Sequence, residues 1–340
     1  MANDISRVKS DFAAAAKDKT ITEPEAKSII RRVRENKLTE SEAKTFRREM
    51  ALNKDLFNPG ATVIFADFAK IIRRNTVLDA GPRPNPGGLP DPTPAAADVD
   101  RLEQEMVKNA ELFRNGINAK DPEQLYLGDC FLVAAMSAVA FAHPEVIKKA
   151  FKKVGDNYEV SMFTKRGAVE KVTIDTDLPR NSWYGWYYAR AHDSKEIWPA
   201  LLEKAFAAKA GNSYEGINGG LSGDAMQQLT GKKSVDTLTR GGGIKEDVMF
   251  AKIKAAVDAK KPTTAATYGD SSAAKYTGTN IHTDHTYVVL GTSREGGVNY
   301  VKLRNPWGSS EPVGNGRDDG IFKLDMPTFM KLFWGISVNG

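Results

Sequence analysis

A long apolar run begins at Cys130, the only cysteine of the chain, and continues to Ala142 with one serine and no charged residue. A run of this length is too short to cross a bilayer but suits a buried helix. The pattern therefore predicts a core helix with Cys130 in its first turn. At that position the positive end of the helix dipole favours the thiolate, the form that a nucleophile needs. The alternative is a small apolar core residue, since unpaired cysteines are usually buried and inert.

The rest of the chain changes between helical and strand patterns. Alternating polar and apolar residues over 158–163 and 170–174 predict a hairpin that turns at Arg166-Gly167. Helices around the cysteine and strands after it indicate an α+β protein of two lobes packed face to face, with the site between them. We expect helices at 101–113, 196–206, 219–229, 245–259 and 326–333, and strands at 264–268, 285–291, 298–304 and 320–324.

Residues 1–78 contain a short repeat, in which Thr20–Lys27 and Lys37–Lys44 are related by a shift of 17 residues. Helical spacing follows each copy, so we predict a small all-helical N-terminal segment. Each copy carries a capping box that should start its helix: Thr22 with Glu25, and Thr39 with Glu42.

Residues 79–98 are too rich in proline and glycine to build a helix or a sheet, and we expect an extended linker there. The N-terminal segment is then an appendage to the rest of the chain. The two predicted lobes follow the linker, at 99–235 and 236–340.

Composition narrows the class of protein. Charged residues make up 27% of the chain and hydrophobic residues 41%, as in ordinary globular proteins, and one cysteine excludes a disulfide framework and fits a reducing compartment. The N-terminus lacks the apolar core of a signal peptide, and no apolar run reaches about 18 residues. We expect a soluble, cytoplasmic protein without a transmembrane segment, and leave non-standard secretion open.

The net charge of +5 lies in residues 1–78, where 16 Lys and Arg accompany 11 Asp and Glu. The signs are interleaved, which favours a solvated helical surface over a nucleic-acid partner. We therefore expect no nucleic-acid partner, and we expect no redox cofactor.

Two strands after the cysteine carry side chains that could complete a catalytic site. His285 begins one predicted strand and Asn305 follows the next, so the two are neighbours if the strands pair. A thiol nucleophile needs a base for its proton and an amide oxygen that orients the base. Gln124 could donate to the oxyanion together with the N–H of Cys130. Each residue alone could equally be a core or surface residue.

At this point the sequence resembles a known family. The motifs are Gln-x-x-Leu-Gly-Asp-Cys-aromatic-Leu at 124–132, His-x-Tyr-x-Val at 285–289 and Arg-Asn-Pro-Trp-Gly at 304–308, with further agreement at 196–206 and 319–322. Together they are similar to the protease core of the calpains, which are papain-like cysteine endopeptidases. The resemblance covers about 105–338, and residues 1–98 resemble nothing in it. It implies a papain-like two-lobed calpain protease core, a helical lobe and a β-rich lobe.

The resemblance also implies roles for individual residues. Cys130 would be the nucleophile, His285 the general base and acid, Asn305 the residue that orients it, and Gln124 the oxyanion donor. Trp307 would cover the histidine and asparagine, and Gly220 would present backbone to an extended protein substrate. The calpain core also binds Ca²⁺ in each lobe, through oxygen ligands. The matching positions are Asp121, Glu196 and Gly116 for the first site, and Glu311, Asp318 and Asp319 for the second.

The sequence departs from the family in several places. Phe131 replaces a tryptophan, Asp284 replaces the glycine before the histidine, and Ile321 stands where an acidic ligand is expected. The loop after Trp307 is also much shorter, and no C-terminal EF-hand domain follows. These departures bear on the calcium sites and on the cleft beside His285, and they leave the three catalytic residues in place.

We therefore expect a calcium-activated, intracellular-type cysteine endopeptidase that acts through a thioester acyl-enzyme. One alternative is a thiol acyltransferase or amidase with the same three residues. Another is a catalytically silent scaffold that works through the N-terminal helices. Residues 1–78 could act as a docking module or as an inhibitory pro-segment.

Overall fold

A computed structural model describes residues 4–22, 24–26, 28–29, 46, 49–50, 52–59, 61–62, 89–95, 103–107, 110–181, 185–239, 244–312 and 318–340. The chain forms two compact units. The smaller unit contains residues 1–83 and 96–100, and the larger unit contains 84–95 and 101–340. The predicted capping box of the second repeat, Thr39 with Glu42, lies outside the described residues.

The smaller unit begins with helix α1 (Asp4–Ala15), which a 3₁₀ turn extends to Asp18. Ile21 forms an isolated parallel bridge with Phe57. Glu25 accepts hydrogen bonds from the N–H of Thr22 at 2.8 Å and from its hydroxyl at 2.7 Å, so the predicted contact between these two residues forms. The small core of this unit consists of Phe12, Ala15, Ile21, Ala26, Ile29, Phe46 and Ala61.

The larger unit combines helices with antiparallel sheets, and it is an α+β structure. The helices are α2 (Cys130–Ala142), α3 (Pro144–Ala150), α4 (Trp198–Lys209), α5 (Ser222–Thr230), α6 (Glu246–Asp258) and α7 (Met326–Leu332). The strands are β1 (Glu103–Met106), β2 (Pro122–Glu123), β3 (Phe151–Val154), β4 (Asn157–Phe163), β5 (Val169–Ile174), β6 (Asp177–Asn181), β7 (Gly185–Trp186), β8 (Arg190–Ala191), β9 (Ser234–Leu238), β10 (Thr263–Thr267), β11 (Thr286–Glu295), β12 (Val298–Arg304), β13 (Ile321–Asp325) and β14 (Phe333–Asn339).

The largest sheet has six antiparallel strands in the order β13-β12-β11-β10-β14-β9. Strand β11 separates two hydrophobic clusters, because successive side chains of a strand point to opposite faces. Val288 packs in the cluster that contains α2, whereas Tyr287 and Val289 pack in the cluster that contains α7. This strand therefore fixes the residues at its start relative to the cysteine helix.

Most predicted elements of this unit are confirmed, including α2 over the whole apolar run and the hairpin of β4 and β5. The helix expected at 101–113 is wrong. Residues 103–106 form β1, which pairs with β6, and the segment from 110 to 115 is irregular. Pairing with a distant strand overrides the local helical pattern. Strand β14 was not expected and begins directly where α7 ends.

Part of the predicted linker belongs to the larger unit. Thr93 forms a parallel bridge with Ser213, and the N–H of Ala95 donates to the hydroxyl of Tyr188 at 2.8 Å. Ala95 is buried in the α2 cluster. Residues 89–95 are extended as expected, but they are packed against the fold rather than exposed, and we call them the strap.

Within the described residues, no single helix is long and apolar enough to cross a membrane. Helices α2 and α3 meet that test only as a pair, and they are bent by 115° at the break between them. Nearly all of α2 is buried within the fold.

Candidate active site

Cys130 occupies the first position of α2 and is partly exposed. Its sulfur lies 3.9 Å from the backbone oxygen of Asp284, and the N–H and hydroxyl of Thr286 also contact it. Burial raises the pKa of the thiol, and the negative charge of Asp129 raises it further. Both effects favour the thiol, against the thiolate that the position in the first turn of the helix predicts.

His285 and Asn305 are held together by the pairing of β11 with β12, in which Val288 faces Arg304. Nε2 of the histidine lies 2.9 Å from Oδ1 of the asparagine. Both side chains are buried, and burial lowers the pKa of His285 to about 4. The imidazole is neutral, and a proton on Nε2 that donates to the asparagine oxygen leaves Nδ1 as the basic nitrogen.

The amide of Asn305 has a defined orientation. Its Oδ1 also accepts the N–H of Trp307 at 3.1 Å, and its Nδ2 donates to the backbone oxygen of Ser310 at 3.1 Å. Oxygen and nitrogen therefore each have partners of the correct type, and the oxygen faces the histidine.

Trp307 covers the histidine as expected, with its ring centroid 4.7 Å from that of His285. The same ring lies 4.3 Å from His282, whose Nε2 is 2.9 Å from the hydroxyl of Ser310. Sequence reasoning did not single out His282. Its only signal is its position three residues before His285, and that spacing alone does not distinguish a site residue.

Gln124, Cys130, His285 and Trp307 line one cleft of about 410 Å³. Gln124 is buried, and its Nε2 donates to the backbone oxygen of Leu127 at 2.7 Å. A side-chain amide nitrogen has two hydrogens, so the second remains for a substrate oxygen in the cleft. The structure thus places three of the four residues that the sequence combined, Gln124, Cys130 and His285, along one cleft, and Asn305 contacts His285.

Gly220 lies against the residue that follows Cys130. A Cβ atom at Gly220 would be 2.7 Å from the ring of Phe131, which is too close for a side chain. The glycine itself is exposed. Bare backbone is therefore available beside the start of α2.

Asp121 and Glu196 are both buried, and each already accepts hydrogen bonds. Asp121 accepts from the N–H and side-chain amide of Asn118 at 2.8 and 2.6 Å, and Glu196 accepts from the N–H of Arg114 at 2.6 Å. Burial raises the pKa of both carboxyls, that of Glu196 to about 7, where the nearby charges of Asp121, Asp193 and Glu111 add to the effect. Gly116 lies in the loop that leads to Asp121, and its φ is +90°.

The three carboxylates predicted for a second calcium site accept hydrogen bonds or pair with a lysine, and these contacts join residues 310–311 to residues 318–320. Glu311 accepts the N–H groups of Asp319 and Gly320, and Asp319 pairs with Lys120 at 3.1 Å. Asp318 accepts the N–H of Ser310 at 2.6 Å. In the part of the chain that the structure describes, no three His, Cys, Asp or Glu side chains are grouped to hold a metal ion.

Arg304 is a further residue whose role the sequence did not reveal. It is 1% exposed, and its Nη2 donates to the backbone oxygens of Lys120 and Pro122, both at 3.0 Å. Its Nη1 donates to the hydroxyl of Ser137 on α2 at 3.2 Å. It therefore ties the residues on either side of Asp121 to β12 and to the cysteine helix.

The sequence profile of the calpain family cysteine proteases matches residues 97–320. The chain belongs to this family. The calpain domain is a hydrolase, a thiol protease.

Calpain-5 of Caenorhabditis elegans is 28% identical to this calpain chain over 299 residues, which cover 69% of it and 45% of that protein. Calpain-9 of Homo sapiens is 29% identical over 230 residues, which cover 63% and 32%. The calpain-type cysteine protease ADL1 of Oryza sativa subsp. japonica is 29% identical over 211 residues, which cover 60% and 10%. The chain thus spans less than half of the length of these relatives.

Proposed function

We propose that this calpain domain is a papain-like, two-lobed cysteine endopeptidase that acts through Cys130, His285 and Asn305. The observation that carries the proposal is the 2.9 Å contact between Nε2 of His285 and Oδ1 of Asn305 in a cleft that Cys130 also lines. This contact leaves Nδ1 as the base. A thiol, a base and an oriented amide are the parts that acyl transfer through sulfur requires.

In the first half of the reaction, Nδ1 of His285 takes the thiol proton while the sulfur of Cys130 bonds to the substrate carbonyl carbon. The N–H of Cys130 and the free N–H of Gln124 stabilise the negative oxygen. The imidazolium then gives its proton to the leaving nitrogen, the carbon–nitrogen bond breaks, and a thioester remains. Water attacks the thioester with Nδ1 as base, and the acid and free thiol are released.

The substrate is a protein segment bound in an extended conformation. The exposed backbone of Gly220 beside Phe131 supports this choice, because main-chain contacts recognise an extended chain with little regard to its side chains. A small acyl acceptor would not use this surface. The thiol acyltransferase or amidase therefore stays the second candidate, with no observation that favours it.

The test is hydrolysis of an unfolded protein by the intact chain, with and without calcium. Cys130→Ala should lower the rate by about 10³-fold or more, since the nucleophile is lost. His143→Ala is the matched control, because this histidine lies outside the cleft. Equal rates for Cys130→Ala and the wild type would reject the protease, and a thioester formed only with a small acyl donor would favour the transferase. Failure of an epoxide inhibitor to label Cys130 would favour the silent scaffold.

We propose Ca²⁺ as an activating cofactor held by Asp121, Glu196 and the backbone oxygen of Gly116. Hard oxygen donors suit this ion, and when bound it would neutralise the crowded carboxylates. Arg304 supports a link to the active site, because it joins the residues beside Asp121 to α2 and is itself the last residue of β12, next to Asn305. We propose a second site at Glu311, Asp318 and Asp319, where Ile321 supplies no carboxylate and the three acidic groups accept N–H groups of their own loop.

Calcium binding has its own measurement. Calcium should raise the melting temperature of the wild type and increase its activity, and magnesium should do neither. Glu196→Gln should lose the thermal shift, whereas Asp318→Asn should keep it if only the first site binds. Full activity in chelator would contradict calcium activation, and a shift lost only in Asp318→Asn would place the site in the other loop.

The remaining proposals concern the setting of the enzyme. We propose a cytoplasmic location, in keeping with a single cysteine in a reducing compartment. We also propose that residues 1–78 dock a partner or inhibit the enzyme. Inhibition predicts a gain of activity on their removal, and docking predicts none.

A further inference from the structure

A pair of acidic side chains lies directly behind the nucleophile, apart from both predicted calcium sites. Asp129 precedes Cys130, Glu203 lies on α4, and each is 1% exposed. Their carboxyl groups are within hydrogen-bonding contact of each other. Both oxygens of Glu203 also lie near the N–H of Ala189, at 3.1 and 3.0 Å.

This contact lacks a donor when both groups are ionised, because carboxylates only accept hydrogen bonds. Among the described residues, neither carboxyl oxygen of Asp129 has an N–H or O–H partner. Two adjacent buried negative charges with no donor between them are very costly. One proton held between Asp129 and Glu203 supplies the missing donor and removes one of the charges.

The position of Asp129 makes the contact more unusual. It is the N-cap residue of α2, and an aspartate there ordinarily accepts a hydrogen bond from the first amides of the helix. Here the side chain makes no capping bond. The carboxyl group faces Glu203 instead, and the N–H of Phe131 at the start of α2 contacts the sulfur of Cys130.

The neighbours of the pair do not replace the proton. Tyr214 is fully buried, and among the described residues its hydroxyl makes no hydrogen bond to either carboxyl. Lys204, the buried residue after Glu203, pairs instead with Asp175 at 2.7 Å and with Asp91 at 3.6 Å. The charge of Asp129 also acts on the thiol of Cys130, whose pKa it raises.

We propose that Asp129 and Glu203 share one proton and act as a positioning pair for Cys130. The shared proton holds the Asp129 carboxyl on Glu203 and away from the start of α2, which leaves the N–H of Phe131 to the sulfur of Cys130. It also limits the negative charge behind the sulfur to one. This inference rests on the proposed role of Cys130 as nucleophile. Burial raises the pKa of Asp129 to about 7 and that of Glu203 well above its usual value, which agrees with a retained proton.

The first test measures the proton itself through unfolding of the intact chain in denaturant between about pH 5 and 7. A carboxyl with a raised pKa in the folded protein stabilises the fold at low pH and loses this effect as pH rises. The wild type should therefore lose stability more steeply than Asp129→Asn or Glu203→Gln, by about tenfold in the folding constant per pH unit. In each variant an amide N–H replaces the shared proton.

Glu145→Gln, at an exposed carboxyl, is the matched control and should keep the wild-type slope. Equal slopes in the wild type and in both pair variants would overturn the shared proton. If Asp129→Asn does not fold, Glu203→Gln alone decides this comparison.

The second test measures the thiol by its rate of alkylation with iodoacetamide against pH. Asp129→Asn leaves the remaining charge on Glu203, farther from the sulfur, so alkylation at pH 7 should be about tenfold faster. Glu203→Gln keeps the charge on Asp129 and should show no such gain. Equal alkylation rates for Asp129→Asn and Glu203→Gln would mean that the pair is only a structural contact without an effect on the thiol.

Neither test requires peptidase activity. If the wild type hydrolyses no protein but its stability falls more steeply with pH than that of the variants, the proposed function is rejected and the shared proton is supported. A chain that is active and shows equal slopes would reject the pair alone.

Discussion

The thiol of Cys130 is partly buried and the imidazole of His285 is buried, and burial disfavours the charged form of each. The sulfur contacts the backbone oxygen of Asp284. The resting pair is therefore a thiol and a neutral imidazole. Catalysis then needs a proton transfer within the cleft as the substrate carbonyl is attacked, rather than a preformed ion pair.

Alkylation of the wild type without calcium tests this resting state. The rate should increase with pH around a midpoint above the ordinary thiol value of about 8.5, because burial raises the pKa of Cys130. Calcium should increase the rate at pH 7 if it brings the sulfur to the histidine. A midpoint near pH 4, as in a thiolate–imidazolium pair, would contradict the neutral resting state.

The role of a residue could be inferred from the sequence only where the residue belongs to a recognisable motif. Cys130, His285 and Asn305 have distinctive neighbours in the chain, and the structure brings the histidine and asparagine into contact. The roles of Arg304 and Glu203 could not be inferred in this way. Each depends on partners about 70 or more residues away in the chain, and no local pattern records such contacts.

At the scale of elements, one helix and two strands position the site. Strand β11 packs on α2 through Val288 and pairs with β12, so the start of one strand and the end of the other lie beside the cysteine. The apolar run predicted α2 because a buried helix needs no polar face. The helix predicted at 101–113 is wrong because residues 103–106 form β1, which pairs with β6 at the edge of a sheet that also contains β7.

The contact between Gly220 and Phe131 gives a prediction at this scale. Gly220→Ala should destabilise the fold by about 1–3 kcal/mol and lower activity, because its Cβ would meet the ring at 2.7 Å. Combining it with Phe131→Leu should recover part of both losses, since the smaller side chain leaves space. Chemical denaturation and peptidase rates of the two single variants and the double variant test this. Additive losses without recovery would mean that the ring contact does not set the position of Gly220.

At the scale of the whole molecule, the effect of an N-terminal deletion depends on whether the deletion includes the strap. Removal of residues 1–83 should leave the stability of the larger unit unchanged, because the strap stays in place. Removal of residues 1–95 should cost about 3 kcal/mol, since three backbone hydrogen bonds of Thr93, Tyr214 and Ala95 are lost at about 1 kcal/mol each. Thermal unfolding compares the two proteins, and equal melting temperatures would show that the strap contributes nothing. The shorter deletion is also the one that tests inhibition by the N-terminal segment.

The strap lies outside the region that similarity to the family defines, since the match begins at residue 97. A shortened protein that starts at this boundary would lack Asp91 and leave one side of the buried Lys204 without its carboxylate. Low activity of such a protein would reflect a missing piece of its fold rather than a poor active site. Sequence similarity can therefore delimit this family more narrowly than the folding unit that carries out its chemistry.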